Sequence, residues 1–219
     1  VKYLRPWVKK KKAWAQNIMG QAYRHGKGVK QSYAMARMLY EQAAQQGDAG
    51  AMCKLGLMYF KGQGVEQSYE SAAEYYDQAA QLGDVDAQFN LANMYYDGEG
   101  VKQSYEMAIR MYEEAAQQGD VVAMSNLGDM YYQGQGVEQS YEKAVEYYDQ
   151  AADLGHSKAQ YNLGIMYYTG QGVAKDETKA KKWWTASAAQ GNETAIENLK
   201  ILEKEMKKKM TKNATKNTK

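Results

Sequence analysis

The chain has 219 residues, enough for one domain or two, with 44% apolar residues, 20 Gly, one Pro and one Cys. The lone Cys53 excludes an internal disulfide framework, and no His or Cys cluster has metal-ligand spacing, so neither metal nor cofactor is expected. The net charge of +2 hides a segregation: residues 1–12 carry six positive charges and no negative ones, and residues 200–219 carry eight Lys against Glu203 and Glu205, which leaves −10 between them, a poor track for nucleic-acid phosphates.

In chain order, a basic segment over residues 1–10 comes first, and Trp7 and Trp14 are expected to cap the N-terminal end of the fold. From about residue 11 the sequence aligns with itself at a period of 36 residues. The unit from Gly47 reads "GDAGAMCKLGLMYFKGQGVEQSYESAAEYYDQAAQL". Ala51, Leu55, Met58 and Tyr59 fall on one face of a first helix. Asp48 stands at its N-cap, as do Asp84, Asp120 and Asn192 in other copies. Gly62 and its equivalents Gly26, Gly98, Gly134 and Gly170 follow the last apolar residue, where a left-handed cap belongs. Ser68 opens a second helix through Ala72, Tyr75, Tyr76, Ala79 and Ala80, closed by Gly83. The pattern predicts helices over 48–60, 69–81, 84–96, 105–118, 120–132, 141–154 and 156–168. A hairpin of this kind cannot bury its own apolar faces, but stacking on neighbours does, which makes an all-α solenoid. Copies 72 residues apart match better than adjacent ones, so the array grew by duplicating two-unit blocks. After Asn192 the apolar face continues through Ala195, Leu199 and Leu202, while Lys200 replaces the expected glycine and Glu203 the tyrosine. This is the pattern of a capping helix. The expected layout is a basic segment over 1–10, a single solenoid of about five repeats over 11–210 with its cap from about 192, and a disordered basic tail over 211–219.

The phrase "GQGVEQSYE" stands at Gly62 and again at Gly134, with close copies at Gly26 and Gly98. A glycine-rich phrase is either a ligand loop or a turn. A phosphate loop would need G-x-x-x-x-G-K-[ST], which is absent, and would be needed once. Four close copies and a fifth, "GQGVAKDET", mark a turn remade in every unit, with Val65 and its equivalents plugging the core beside it.

The phrase "AQYNLGIMYYTGQGV" (Ala159–Val173) precedes an Ala-rich helix ending "AAQGN", and similar phrases start at Ala87 and Ala123. They resemble the Sel-one-like repeat (SLR) family, relatives of the tetratricopeptide repeats, over about residues 11–200. The resemblance implies a right-handed α/α superhelix whose first helices line a concave surface used to hold partner proteins or peptides. It implies no catalytic residues. Cysteine-rich secreted relatives pair cysteines within each repeat, which this chain cannot do. "QSY" stands where the family more often has an acidic residue before the tyrosine.

On each first helix a second stripe lies about a right angle from the core face. There the copies diverge: Cys53, Phe89, Ser125 and Tyr161 are equivalent, as are Leu57, Asn93, Asp129 and Ile165. Asn90, Asn126, Asn162 and Asn198 recur along it. Such an amide ladder could hold an extended peptide backbone, with Phe89 and Tyr161 adding apolar pockets. The competing reading is that each Asn serves a neighbouring hairpin, as buried amides in repeats usually do, and that Phe89 simply packs. The candidate partner-binding residues are Phe89, Asn90, Asn93, Asn126, Asp129, Tyr161 and Asn162. His25 and His156 occupy unlike positions and form no catalytic pair, and Cys53 reads as a small filler. Asn192 and Asn213 match the glycosylation acceptor pattern, relevant only after secretion.

The reading is a non-enzymatic adaptor that binds a basic or amphipathic protein segment, steered by its acidic body. The alternative is a helical-repeat protein that binds nucleic acid through its lysine-rich ends. The single cysteine and the lack of a visible signal peptide favour an intracellular setting, although the sequence starts at Val1 and an upstream segment would not be seen.

Overall fold

A computed structural model describes residues 1–216 of the chain, with side chains through Lys209; residues 217–219 of the expected basic tail lie outside the described residues. The described residues form helices and no strand. A 3-10 turn (Lys2–Leu4) and α1 (Arg5–Lys9) precede five hairpins. These are α2 (Ala13–His25) with α3 (Tyr33–Ala44), α4 (Ala49–Lys61) with α5 (Tyr69–Gln81), and α6 (Val85–Asp97) with α7 (Tyr105–Gln117). Then come α8 (Val121–Gln133) with α9 (Tyr141–Asp153) and α10 (Ser157–Thr169) with α11 (Glu177–Ala189), before a final α12 (Glu193–Lys216). The chain gathers into two compact units, Val1–Gln118 and Gly119–Lys219. In the first, α3 packs on α4 and α5 on α6; in the second, α9 packs on α10 and α11 on α12.

Caps set the helix starts. Asp48, Asp84 and Asp120 accept from the backbone N–H of Ala51, Ala87 and Ala123 at 2.8, 2.9 and 2.7 Å, and Asn192 accepts from Ala195 at 3.0 Å. The fifth start is held by His156, whose Nδ1 accepts from Ala159 at 3.4 Å. Ser32, Ser68, Ser104 and Ser140 cap the second helices, and Asp176 does so in the last hairpin. The glutamine before each serine ties the loop back: Gln31, Gln67, Gln103 and Gln139 donate to the carbonyl seven residues upstream at 2.7–2.8 Å. "QSY" is thus a loop clasp and a helix cap in adjacent residues.

The glycine phrase is a turn with a close approach. Gly98 ends α6 with φ 74°, and Gly100, with φ 69°, faces α5 so closely that a Cβ would overlap the Tyr69 carbonyl. Val65 and its equivalents are half-buried beside the turns. Within a hairpin, the ring of the second helix lies on a glycine of the first: Tyr40 on Gly20, Tyr76 on Gly56, Tyr148 on Gly128 and Trp184 on Gly164. That contact accounts for the glycine in four of the five copies, where an added Cβ would overlap the ring, while the third hairpin accommodates Ala92 with Tyr112 still buried. Ala51, Leu55 and Met58 are fully buried and join Ala36, Tyr40 and Ala43 of the preceding hairpin in one cluster.

The alternation of copies has a physical basis. Buried Gln16, Gln88 and Gln160 accept from Gln46, Gln118 and Gln190 at 2.6, 2.8 and 2.8 Å. The intervening copies replace each such pair with Met52 and Leu82, or Met124 and Leu154. Odd repeats therefore carry a polar clasp and even ones an apolar pair.

The ends differ from expectation. Leu4, 1% exposed, caps the first hairpin through Ala15, Met19 and Leu39, whereas Trp7 and Trp14 remain 42% and 47% exposed. The capping role expected of the tryptophans thus falls to Leu4 of the 3-10 turn, with Val1 and Val8 packed partly buried beside it. At the other end Ala195 and Leu202 of α12 are buried with Ala180 and Trp184. Glu203 pairs with Lys181 at 2.9 Å, and Glu205 accepts from Tyr168 at 2.9 Å. The backbone of α12 stays helical to Lys216, past Thr211, the expected start of the tail.

Candidate functional site

The first helices carry the candidate residues, one group in each unit. In the unit Val1–Gln118, Asn90 and Asn93 project from α6 into a cavity of about 360 Å³ closed by Leu57, Phe60 and Lys61 of α4 and by Tyr76. Asp97 and Glu99 also line it. Asn93 accepts a hydrogen bond of 2.5 Å from the Tyr112 hydroxyl. Phe89 is half-buried with its ring 5.9 Å from that of Tyr112, so it packs within its own hairpin while presenting an edge outward.

In the unit Gly119–Lys219, a cavity of about 260 Å³ lies between α8 and α10. Its polar wall is built on Asp129. That carboxylate accepts from the Tyr148 hydroxyl at 2.6 Å, the Lys158 ammonium at 2.6 Å and the Asn162 amide at 3.1 Å. Burial first, and then the Asp129 charge, push the Tyr148 hydroxyl well above the ordinary tyrosine range, so it stays a donor. Asn126 is half-buried one turn earlier, outside the cavity lining. Tyr161 is half-buried against the Trp184 cluster, and its backbone carbonyl accepts from Trp184 Nε1 at 3.1 Å, so part of its ring serves the core.

The two cavities are the same place in the repeat. Leu57, Phe60, Tyr76, Asn90, Asn93 and Met94 of the first correspond, 72 residues on, to Asp129, Tyr132, Tyr148, Asn162, Ile165 and Met166 of the second. Each is lined by a Tyr and a Met that the two share, Tyr76 and Met94 or Tyr148 and Met166, together with residues of the variable stripe. The candidate residues therefore split: Asn90 and Asn93 share one cavity, Asp129 and Asn162 share the other, and Phe89, Asn126 and Tyr161 line neither. Tyr76, Tyr148 and Lys158 were not singled out from the sequence. The 19-residue spacing between each Tyr and its stripe partner was the available signal, visible in Tyr112–Asn93 and Tyr148–Asp129.

Cys53 is 1% exposed beside Asp84 and Asp86, their ligand atoms lying within 4.8 Å of one another. Burial and then Asp84 push the thiol up to about 12. Asp84 already caps α6 and Asp86 holds Lys54 at 3.0 Å, so the group is satisfied by the protein itself. No helix among the described residues is long and apolar enough to cross a membrane.

The Sel1 repeat family matches residues 15–48, 49–84, 85–120, 121–156 and 157–192, in register with the five hairpins. Among solved structures, the chain is similar to c5321, a protective antigen of uropathogenic Escherichia coli strains with an SLR fold, at 39% identity and a TM-score of 0.83. The match covers 90% of this chain and 43% of that one, so the chain spans less than half the length of that relative. A Sel1 repeat protein from Oxalobacter formigenes is 35% identical with a TM-score of 0.79, covering 86% of this chain and 75% of that one. A comparison with curated proteins found no match. Sel1 repeat proteins serve in general as protein-interaction scaffolds, mostly without enzymatic activity. By five consecutive repeats and these likenesses, the chain belongs to the Sel1 repeat family.

Proposed function

We propose that the protein is a non-enzymatic adaptor whose variable first-helix face docks a basic or amphipathic polypeptide segment. The observation that supports this is the recurrence of one cavity at one place in the repeat, with a Tyr and a Met in common and stripe residues that differ between the two copies. Packing alone would keep those stripe residues constant, as it keeps the Ala, Leu and Met of the core face from the second copy to the fifth. The cavity with Asn90 and Asn93 is lined by Asp97 and Glu99 against the single cation Lys61, and takes a Lys or Arg side chain of the partner. The one with Asp129 and Lys158 offers both signs and an amide, and so suits backbone or amide groups.

The test is selection of displayed peptides on the intact protein, then affinity measurement with variants. Asn90→Ala with Lys158→Ala is expected to weaken the selected peptides about tenfold, each lost hydrogen bond being worth roughly 0.5–1.5 kcal/mol. Phe89→Ala is expected to change which peptides are selected. Peptides that bind all variants alike, at unchanged melting temperature, would place the docking surface elsewhere.

A further inference from the structure

The aromatic residues at the N-terminal end belong neither to the core nor to the docking face. Leu4 pins the 3-10 turn and α1 onto the first hairpin, so this basic segment is held folded. On its outside, Trp7 and Trp14 lie with ring centroids 5.8 Å apart. Ile18, one turn along α2 from Trp14, is 43% exposed, and Tyr3 is 71% exposed. Lys10 Nζ sits 5.4 Å over the Trp7 ring. The surrounding cations are Lys2, Arg5 and Lys9 to Lys12, all exposed and none in an ion pair among the described residues. The first acidic residue of the chain is Glu41, so the ten Lys and Arg of residues 1–40 meet no carboxylate from their own stretch. Lys11 is the sole described non-glycine residue with positive φ, at 53°, a turn position that Gly or Asn fills at lower cost.

We propose that this end of the molecule binds the surface of an anionic lipid bilayer, with Trp7, Trp14 and Ile18 in the interface and the lysines on headgroup phosphates. An indole has an apolar body and one N–H donor, which suits the headgroup boundary, and lysine stems reach from there to phosphate. A short folded segment that presents both together has the composition of an interfacial anchor. Single-stranded nucleic acid is the other polyanion to weigh. It needs free aromatic faces on which bases stack, whereas Trp7 is flanked by Trp14 and Lys10, and it has no use for exposed Ile18.

The chain carries its own reporter, because Trp183 and Trp184 are buried, 7% and 3% exposed, and any emission change on binding comes from Trp7 and Trp14. The experiment mixes the full chain with vesicles of phosphatidylcholine alone or with about one-third phosphatidylglycerol. Binding is expected only to the anionic vesicles, with a blue shift and with quenching by lipids brominated near the headgroup end of the acyl chain. Trp7→Ser with Trp14→Ser, keeping Leu4, is expected to lower the partition coefficient about tenfold or more. Lys9→Gln, Lys10→Gln and Lys12→Gln together, leaving the Lys11 turn, are expected to lower it roughly a hundredfold. Circular dichroism and melting temperature serve as controls for folding. The proposal is overturned by no vesicle binding, by binding without shift or quenching, or by tighter binding to an RNA oligonucleotide or an acidic polypeptide than to the vesicles.

Discussion

Tyr148 and Asp129 meet across a hairpin, and the repeat shows what happens when one of them changes. Where Asp129 stands, the copy 72 residues earlier has Leu57, and its cavity is larger. Asp129→Leu is therefore expected to keep the fold, but it leaves Tyr148, Lys158 and Asn162 without their acceptor. The cost should be about 1–3 kcal/mol in urea unfolding, and Tyr148→Phe in the same chain should recover part of it. Equal losses with and without the second change would show that the hydroxyl is not coupled to Asp129. His156 gives a pH dependence. Burial first, and then Lys158, hold its imidazole below the ordinary 6.5, with Asp129 and Asp120 opposing. Neutral imidazole accepts the Ala159 N–H; imidazolium cannot. Because the folded value is depressed, the contribution is complete above about pH 6.5, the unfolded value, and is lost as pH falls towards the folded one. His156→Asn caps without titrating, so its stability advantage over wild type should grow between about pH 7 and 5. A gap that does not change with pH would remove His156 from the cap.

At the scale of elements, the turn and the terminal cap make distinct predictions. Gly98→Ala should cost about 1 kcal/mol, the ordinary penalty of a left-handed residue. Gly100→Ala should cost clearly more, because α5 must also move away from the added methyl group. Equal melting temperatures would mean that the hairpins are not in this contact. Leu4→Ala should cost about 2–4 kcal/mol and should speed amide exchange in α2 before other helices. The helices were legible because their signals are local: Asp48, Asp84 and Asp120 cap where they stand, Gly62 and Gly98 terminate, and every expected boundary falls within one residue of the observed helix. Leu4 was overlooked because Val1, Leu4 and Val8, although at helical spacing, make too short a run to stand out beside the larger Trp7 and Trp14. His156 was missed because histidine is rarely an N-cap. For the candidate site, the stripe could be drawn from helical angles, but its division into two equivalent cavities could not. That depends on second-helix tyrosines such as Tyr76 and Tyr148, which arrive from about 19 residues away.

For the whole molecule, the natural unit of change is a pair of hairpins. Removing residues 49–120 joins Asp48 to Val121, which leaves Asp48 at the N-cap position that Asp120 held. The shortened protein is expected to remain helical and to unfold cooperatively, as monitored by circular dichroism. Removing residues 27–62 instead takes out a single repeat length rather than two, and it sets buried Gln16 opposite Leu82 in place of Gln46. That variant should be less stable by about 1–3 kcal/mol, and Gln16→Met should restore it. Equal stability of the two glutamine environments would show that the clasp is incidental. The same bonds act as a filter on inheritance. When two gene copies exchange strands out of step by two repeats, any breakpoint yields a sound protein. When they slip by one, breakpoints between the codons of Gln16 and Gln46 yield mismatched offspring, and only those at repeat borders pass. Lineages should therefore lengthen and shorten this array in even steps more often than in odd ones.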